Sequence, residues 1–444
     1  MPISGFPEWL PPQRMIEQYA LDKIRSTFEL YGFAPLETRA VEPLETLLSK
    51  GETSKEVYLL RRLQEEDPSA RSDDQLGLHF DLTVPFARFV TENHGKLQFP
   101  FRRYQIQKVW RGERPQEGRY REFLQADIDV VNRDTLPFHF DTEMPLVIGD
   151  AFRSLPIPRA VIQVNNRKVC EGFYRGLGLS DTAQVLRTVD KLDKIGPEKV
   201  AAALVETAGA TDAQAQACLK LAEISASDGS FVDRVRALGV DDPLLDEGLS
   251  ELLQVVETAG EHAPGLVRAE LKIARGLDYY TGTVYETQLV GYERFGSVCS
   301  GGRYETLASV GNTRFPGVGI SIGVSRMFGI LFGQNALSVS RSVPTCVVVA
   351  VPSDDRRGDC ERIAMALRRR GIPTEVAPTA AKFGKQIQFA DRRGIPYVWF
   401  PGAPSSGAAA SDTVKDIRSG EQVEADAATW EPPAADLKPV VSAS

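Results

Sequence analysis

Cysteine is scarce in this chain. Its five cysteines stand at positions 170, 218, 299, 346 and 360, an odd number at wide spacing and without a CxxC pair. This pattern argues against a disulfide framework and against a zinc site. Histidine is equally sparse, with four residues scattered over 444 positions. We therefore expect no metal ion that is held by protein side chains alone.

Long apolar runs are also missing. No segment approaches the roughly 18 consecutive apolar residues of a membrane-spanning helix, and the first residues lack the basic patch and apolar stretch of a secretory signal. The apolar fraction of 42% and the charged fraction of 25% are ordinary for a globular protein. The chain is too long for one hydrophobic core, so we expect roughly two or three domains. A cytoplasmic protein without membrane contact is the default expectation.

The chain as a whole has no excess of positive charge. Its formal net charge of −8 weighs mildly against a nucleic-acid-binding protein. Between Phe99 and Phe123, however, basic residues outnumber acidic ones. The basic residues are Arg102, Arg103, Lys108, Arg111, Arg114, Arg119 and Arg121, and the acidic ones are Glu113, Glu117 and Glu122. A solvated face is the simpler explanation, but so many cations between apolar segments favour a binding role.

Two β-strands are predicted around the centre of this basic segment, Phe101 to Trp110 and Glu122 to Val131. The intervening loop, Arg111 to Arg121, is long for a compact domain, and such loops are commonly functional. The sequence therefore predicts an antiparallel pair of strands with a functional loop.

The character of the sequence changes twice further along the chain. From about 180 to 265 it is rich in Ala, Leu, Glu and Asp with few aromatics, which predicts a helical insertion. A polar linker, Gly333 to Pro344, then precedes alternating apolar strands and amphipathic helices in the order β-α-β-α-β, which is typical of a small α/β domain. The last residues, 433–444, are predicted to be a flexible tail.

The loop and its flanking strand offer groups that suit a nucleotide. Arg111 and Arg119 supply planar guanidinium groups for phosphate oxygens. Glu113 can accept a hydrogen bond from the adenine amino group, and the ring of Phe123 can stack on the base. A salt-bridged hairpin without a ligand is the alternative interpretation of the same residues.

Three other segments carry candidate ligand-binding groups. The segment ARGLDYYTGTVYE begins at Ala274 and brings an arginine close to two tyrosines, although tyrosines often only fill a core. The Gly-rich stretch from Phe315 to Leu331 leads into a helix with Arg326 in its first turn, which suits a phosphate. Asp81 and Thr83 suit a cation, but they could equally cap a helix that begins ahead of the following proline.

Together these segments resemble the histidyl-tRNA synthetases, a family of the class II aminoacyl-tRNA synthetases. Arg111-Gly112-Glu113 with Phe123 is similar to motif 2 of the class, and the stretch ending at Arg326 is similar to motif 3. RGLDYYTG and the segment Ser300 to Glu305 resemble the two histidine-specific signatures of the family. The resemblance covers nearly the whole chain.

The resemblance implies an α+β class II catalytic domain, an antiparallel sheet with flanking helices, over residues 1–335. The helical insertion at about 180–265 would interrupt it, and a C-terminal α/β anticodon-binding domain would cover 343–432. It also implies a homodimer. The implied activity is that of a histidine–tRNA ligase, which needs ATP and Mg²⁺, activates L-histidine to histidyl-adenylate and transfers histidine to the 3′ end of tRNA(His).

The resemblance further implies roles for individual residues. ATP would be bound by Arg111, Glu113, Arg119, Phe123 and Arg326. Histidine would be bound by Asp81, Thr83, Arg111, Gln125, Asp129, Arg275, Tyr279 and Tyr280. Arg111 and Arg275 would be the catalytic pair, and Arg114 and Gln116 would contact the tRNA acceptor end.

The implied pairing of Asp129 and Tyr280 with the two ring nitrogens of histidine has a physical logic. An imidazole presents one nitrogen on each side, and a carboxylate opposite a phenol can hydrogen-bond to both. An amino acid without an imidazole would leave both groups unpaired in a buried site, which is costly.

The chain departs from the family pattern at three positions. Arg39 stands where motif 1, which builds the dimer interface of the class, has a proline. Ser325 replaces the acid before the motif 3 arginine, so another group must orient Arg326. Asp129 occupies a position that is Glu in some members and Asp in others.

Three alternatives compete with a histidine-specific ligase. A non-catalytic, histidine-binding regulatory paralogue of the same fold would lack the C-terminal domain and the arginines that bind ATP. A class II synthetase for another amino acid would lack the two histidine signatures. A plain nucleic-acid-binding module would use the basic loop but would leave RGLDYYTG and the Gly-rich motif unexplained.

We predict that Arg275→Ala abolishes histidine-dependent exchange between pyrophosphate and ATP, because its guanidinium would neutralise charge on the reacting phosphate and carboxylate. Far-ultraviolet circular dichroism should show that the variant remains folded. Near-normal exchange in a folded variant would remove Arg275 from the chemistry.

Overall fold

The computed structural model describes residues 3–48, 56–62, 75–273, 280–306, 308–402 and 411–444. The chain divides into two compact units, one of Met1–Pro7 and Leu21–Gln334 and the other of Glu8–Ala20 and Asn335–Ser444. In the described part of the chain, every helix is too short or too polar to cross a membrane.

Helices and strands alternate irregularly along the chain. The helices of the described residues are α1 (Pro11–Leu30), α2 (Leu44–Leu48), α3 (Thr83–Asn93), α4 (His139–Arg153), α5 (Arg167–Gly176), α6 (Thr182–Val189), α7 (Leu192–Ile195), α8 (Pro197–Ala208), α9 (Asp212–Ala222), α10 (Ser230–Arg236), α11 (Pro243–His262), α12 (Val324–Gly333), α13 (Arg357–Arg369) and α14 (Phe383–Asp391). The strands are β1 (Ala34–Pro35), β2 (Val41–Pro43), β3 (Tyr58–Leu60), β4 (Leu76–Leu78), β5 (Phe101–Trp110), β6 (Glu122–Val131), β7 (Ala160–Asn166), β8 (Ser225–Ala226), β9 (Val267–Glu270), β10 (Tyr280–Leu289), β11 (Cys299–Tyr304), β12 (Ser309–Val310), β13 (Thr313–Arg314), β14 (Gly317–Gly323), β15 (Leu337–Val339), β16 (Val347–Val349), β17 (Thr374–Val376), β18 (Tyr397–Phe400), β19 (Thr413–Asp416), β20 (Gln422–Glu424) and β21 (Val441–Ala443).

A large sheet dominates the first unit. Among the described residues its strands follow the order β1-β5-β6-β14-β11-β10-β7-β9-β8. The pairs β1–β5 and β7–β9 are parallel, and the other neighbours are antiparallel. The predicted antiparallel sheet with flanking helices is confirmed, with these two parallel pairs as an addition.

The two faces of this sheet differ in chemistry because side chains alternate along each strand. On β6, the apolar residues Ala126, Ile128 and Val130 are fully buried and alternate with polar ones. On β10, the hydroxyl of Tyr285 donates to the backbone oxygen of Asp141, so this side chain points to α4. The other face therefore receives the polar residues of the central strands.

A buried ion pair fixes α4 beneath the sheet. The Nη1 atom of Arg303 lies 2.6 Å from Oδ2 of Asp141, and its Nη2 atom donates to the oxygen of Leu136 at 2.6 Å. The Asp141 side chain is fully buried. Burial raises the pKa of Asp141 to about 6, and the Arg303 guanidinium opposes the rise. The arginine within the second histidine signature is thus a structural residue on the face that packs against α4.

Helices α6 to α11 fill the segment for which the sequence predicts a helical insertion. Side chains cap several of them: Asp181 accepts from the N–H of Gln184, and Thr211 forms a capping box with Gln214. The short strand β8 within this segment pairs with β9, so the segment also contributes to the large sheet.

The second unit is built around a sheet in the order β17-β16-β18-β19-β20. Strand β16 pairs in parallel with both β17 and β18, as the β-α-β-α-β pattern predicts. The sequence predicts a flexible tail at 433–444, but β21 pairs with β15 through antiparallel backbone hydrogen bonds. A strand of three residues is too short for alternation in the sequence to indicate that pairing.

We predict that Arg303→Met destabilises the protein strongly, because it leaves the Asp141 carboxylate buried without a countercharge, at a cost of about 3–5 kcal/mol. The free energy of unfolding in urea measures the effect. Arg153→Met, which removes an exposed ion pair with Asp150, is the matched control and should cost less than about 1 kcal/mol. Equal losses in both variants would contradict the structural role of Arg303.

Candidate active site

A row of polar side chains crosses the centre of the large sheet. Backbone pairing aligns Asp127 on β6 with Ser321 on β14, Ser321 with Ser300 on β11, and Ser300 with Glu286 on β10. Directly paired residues of neighbouring strands point to the same face. The hydrogen-bond register therefore gathers these four side chains on one surface, opposite the face that packs against α4.

The next row along the strands has glycines where the first row has side chains. Asp129 pairs with Gly319, and Gly319 pairs with Gly302. A Cβ atom on Gly319 would lie 2.1 Å from Oδ1 of Asp129, and one on Gly302 would lie 2.8 Å from the ring of Tyr280. Any larger residue would collide with these neighbours, so the glycines form the floor of a small cavity.

The cavity above this floor contains several of the residues that the sequence predicts for a ligand site. Its lining includes Thr83, Asp129 and Tyr280, together with Asp127, Ser300 and Tyr304. The structure therefore brings Thr83 from the start of α3 to two central strands of the sheet.

Asp129 is held by two buried partners. Its Oδ2 atom lies 2.6 Å from Nη2 of Arg103, and its Oδ1 atom accepts from the hydroxyl of Tyr304 at 2.9 Å. The Arg103 and Asp129 side chains are 0% and 5% exposed. This orientation is stiff, because a buried ion pair with good geometry is costly to disrupt.

Asp127 and Gln125 share a serine. The Nε2 atom of Gln125 donates to Oγ of Ser321 at 2.7 Å, and Ser321 also hydrogen-bonds to Asp127. Burial raises the pKa of Asp127 to about 7; Arg103 opposes the rise, and Asp129 and Asp81 add to it. Asp127 is therefore close to half-protonated at neutral pH.

Asp81 caps a helix, as one of its two interpretations predicts, and the other interpretation, a cation ligand, remains compatible with the structure. Its Oδ1 atom accepts from the backbone N–H of Val84 at 2.9 Å, as expected of a residue that caps α3. Its Oδ2 atom is buried and has no hydrogen-bond partner among the described residues. The carboxylate can therefore support the helix and bind a ligand at the same time.

The basic loop places its arginines around a second region. Nε of Arg111 donates to the oxygen of Phe80 at 2.9 Å, and the guanidinium lies 5.2 Å from the ring centre of Phe123. The Nη1 atom of Arg119 lies 3.9 Å from Oε2 of Glu113. The predicted nucleotide residues on β6 and in the loop are thus close to one another.

Arg326 belongs to this second region. Its Nη2 atom donates to the backbone oxygen of Phe295. Burial and the charge of Arg119 together lower the pKa of Arg326 to about 10. Two neighbouring guanidinium groups of this kind favour an anion between them.

The departures from motifs 1 and 3 have structural explanations. Oγ of Ser325 accepts from the backbone N–H of Leu124 at 2.9 Å, so the serine supports β6 while the Phe295 carbonyl orients Arg326. Arg39 donates to Glu42, whose fully buried carboxylate also binds Arg88 at 2.9 Å. The arginine in place of proline thus neutralises a buried acid.

The two residues predicted to contact the tRNA acceptor end lie in the loop between β5 and β6. Arg114 and Gln116 are exposed. The backbones of Gln116 and Arg119 exchange hydrogen bonds at 3.1 and 2.9 Å, which closes the loop tip. Gly118 has φ +70° and packs against Ile330, where a side chain would be strained.

Some predicted residues lie outside the described part of the chain, and some described residues escaped prediction. Arg275 and Tyr279 belong to the first group. The second group comprises Arg103, Asp127, Tyr304 and Glu56. Burial raises the pKa of Glu56, and the nearby Arg111 opposes this rise. The alternation of β6 could have identified Asp127, because it lies between Gln125 and Asp129. Arg103 and Tyr304 required the pairing register.

Comparisons with known proteins agree with this geometry. Residues 5–327 match the family model of the histidyl-tRNA synthetases, and residues 345–429 match an anticodon binding domain. The chain is 59% identical over 449 residues to the histidine–tRNA ligase of Micrococcus luteus, with 99% of this chain and 98% of the relative covered. It is 58% identical over 445 residues to that of Cutibacterium acnes, with 99% and 98% covered.

Solved structures give the same result. The crystal structure of histidyl-tRNA synthetase from Nostoc sp. PCC 7120 matches with a TM-score of 0.85 and 37% identity, covering 96% of this chain and 97% of that one. An ATP phosphoribosyltransferase regulatory subunit/histidyl-tRNA synthetase from Bacillus halodurans C matches at 17% identity and a TM-score of 0.72, over 87% and 96% of the two chains, which shows the fold alone. Because the family model spans every candidate site residue from Asp81 to Arg326 and relatives align over the full length, the chain belongs to the histidyl-tRNA synthetase family.

Proposed function

We propose that this protein is a histidine–tRNA ligase that uses ATP to activate L-histidine and then charges tRNA(His). The observation that carries the proposal is a group of buried acceptor oxygens on Asp127, which lines the cavity, and on its neighbours Asp81 and Gln125. Oδ2 of Asp81, Oε1 of Gln125 and Oδ1 of Asp127 are buried and have no hydrogen-bond partner within the described residues. Buried acceptors without donors are costly unless a ligand supplies the donors.

Recognition of the imidazole would fall to Asp129 and Tyr280. Arg103 and Tyr304 orient the Asp129 carboxylate, and a carboxylate oxygen can accept more than one hydrogen bond. Tyr280 contributes its phenol from β10, in the row beyond the glycine floor. The imidazole would lie between the Asp129 and Tyr280 side chains, which pack above Gly319 and Gly302.

The first chemical step joins histidine to the nucleotide. A carboxylate oxygen of histidine attacks the α-phosphorus of ATP, the bond to the bridging oxygen breaks, and pyrophosphate leaves. Arg111 and Arg275 would neutralise charge on the attacking carboxylate and the α-phosphate. Positioning and charge neutralisation contribute most of the catalysis in such phosphoryl transfers.

The second step transfers histidine to the tRNA. The terminal ribose hydroxyl attacks the acyl carbon and loses its proton, and AMP leaves with the bonding electrons. Arg114 and Gln116 would contact the acceptor end, because they are exposed at the tip of the loop that adjoins the ATP region.

The nucleotide would occupy the region of the basic loop. Phe123 would stack on adenine, Glu113 would accept from its amino group, and Arg326 with Arg119 would bind the outer phosphates. Glu286 lies close enough to influence the pKa of Arg326. Its carboxylate is a suitable ligand for Mg²⁺, whose charge would offset that of the phosphates; phosphate oxygens and water would supply the other ligands.

The alternatives receive less support. A regulatory paralogue is disfavoured because Arg111 and Arg326 are present and oriented and because residues 345–429 match an anticodon binding domain. Another amino acid is disfavoured because the acid–phenol pair suits an imidazole. A plain nucleic-acid-binding module would not require the buried acceptors.

Catalysis and anticodon binding would belong to separate domains. We propose a catalytic domain at 1–335, interrupted by the helical insertion at about 180–265, and an anticodon-binding domain at 343–432. We also propose a cytoplasmic location, because a histidine–tRNA ligase serves protein synthesis.

We also propose that the protein is a homodimer. Leu60 and Leu76 pair across β3 and β4 and are 42% and 44% exposed. These strands form a small sheet with β2, in the region that resembles motif 1. A second copy of the chain would cover the leucines and remove their apolar surface from water.

We predict that only histidine among the amino acids supports pyrophosphate exchange in the wild-type protein. Asp129→Asn and Tyr280→Phe should raise KM for histidine at least about tenfold, because each removes a hydrogen bond to the ring, while KM for ATP changes little. Exchange with another amino acid would contradict the function, and equal changes in both KM values would contradict these two roles.

We predict that Leu60→Asp shifts the protein from dimer to monomer, because a charge on the buried apolar surface would be desolvated without a partner. Sedimentation velocity measures the shift, and Leu30→Asp, an exposed leucine at the end of α1, is the control. A wild-type monomer, or a dimer that persists in the variant, would count against this interface.

A further inference from the structure

We propose that Asp127 is a third acceptor for the α-ammonium group of the bound amino acid, acting together with Asp81 and Gln125. This inference rests on the proposed function and deepens it. The resemblance to the family assigns the ammonium to Asp81, Thr83 and Gln125, and it assigns no role to Asp127.

The position of Asp127 supports this role. It lies on β6 two residues after Gln125 and two before Asp129, so all three side chains point to the same face. Asp127 and Gln125 are both hydrogen-bonded to Ser321. Since one serine holds both side chains, their remaining oxygens stay close to the same part of the cavity.

The remaining oxygens have the chemistry that an ammonium group requires. Oδ1 of Asp127, Oε1 of Gln125 and Oδ2 of Asp81 are buried and unpartnered among the described residues. A primary ammonium carries three N–H donors and no acceptor. One such group would therefore supply a donor for each of the three oxygens.

The charges that face Asp127 leave a deficit of positive charge. Arg103 on β5 is the cation closest to it, but this guanidinium forms the ion pair with Asp129. Asp81 approaches from the segment before α3, and Cys299 on β11 is buried and neutral, because burial raises the pKa of its thiol. Among the described residues, Arg103 lowers the pKa of Asp127, whereas Asp129 and Asp81 raise it, and a ligand ammonium would add positive charge.

Without a bound amino acid, a proton on the Asp127 carboxyl group takes the place of the ligand ammonium. Because the pKa of Asp127 is about 7, the carboxyl is partly protonated at neutral pH. An arriving ammonium stabilises the carboxylate, and the carboxyl proton passes to solvent as the ammonium hydrogen bond forms. Binding of the amino acid should therefore release protons near neutral pH.

The test compares two inhibitors of histidine-dependent pyrophosphate exchange. L-Histidinol keeps the ammonium group, whereas 3-(imidazol-4-yl)propionate lacks it. Asp127→Asn should raise the inhibition constant of histidinol about 10- to 100-fold, since a charge-assisted hydrogen bond is lost. It should leave the inhibition constant of the propionate unchanged or lower it, because a negative charge is removed.

Asp129→Asn is the matched comparison, because it makes the same substitution two residues along the same strand. It should weaken both inhibitors, since both contain the imidazole. Equal weakening of both inhibitors by Asp127→Asn would overturn the inference, as would unchanged binding of histidinol.

Proton release gives an independent readout. Titration calorimetry of histidinol binding at pH 7, in two buffers of different ionisation enthalpy, should show about half a proton more released by the wild type than by Asp127→Asn. The titration of the free imidazole is common to both proteins and cancels in the difference. Equal proton release would overturn the inference.

Folding and function are controlled separately. At pH 8, Asp127→Asn should melt at or above the wild-type temperature, because the substitution removes a carboxylate that is buried and ionised there. This gain in melting temperature should vanish below about pH 4, where the acid is neutral in both the folded and unfolded states. Ser321→Ala, which releases both side chains, is a second variant and should weaken histidinol more than the propionate. A wild type without histidine-dependent exchange would refute the proposed function, whereas an active wild type with undiscriminating variants would refute only the role of Asp127.

Discussion

The antiparallel register of the central strands is the constraint on which the site depends. Because β6, β14 and β11 pair in continuous register, and β10 joins them with one irregularity between Tyr280 and Val284, acids, serines and glycines that are far apart in sequence fall into adjacent rows. No single strand carries all the residues of the candidate site. The site forms where the row of Asp127, Ser321 and Ser300 borders the row that contains Gly319 and Gly302.

Charge is distributed unevenly between the faces of this sheet. Beneath it, Asp141 and Arg303 neutralise each other and contribute to stability. Above it, Asp81 and Asp129 raise the pKa of Asp127 and Arg103 lowers it, so acids outnumber this cation among the described residues. The first arrangement forms a complete ion pair without a ligand. Under the proposed function, the ammonium group of the bound amino acid would add positive charge to the second, and perturbed acids of this kind are typical of functional sites.

Much of the fold and of the site could be predicted from short strings of sequence. The bounds of β5 and β6 follow from alternation, and the motif residues Arg111, Asp129 and Arg326 follow from resemblance. Contacts that depend on strand pairing could not be predicted in this way. Tyr304 lies 175 positions from Asp129 and meets it only through the register. The backbone pairing of β21 with β15 could not be predicted either, because strands of three residues carry little periodic signal.

Strand β11 serves both faces of the sheet. Arg303 and Tyr304 are neighbours in sequence, yet the first anchors α4 and the second touches Asp129 on the opposite side. A deletion or insertion of one residue upstream in this strand would exchange their directions, placing a guanidinium in the cavity and a phenol against a buried acid. The spacing of residues within β11 is therefore constrained from two sides at once, because a single shift would disrupt the anchor of α4 and the support of Asp129 together.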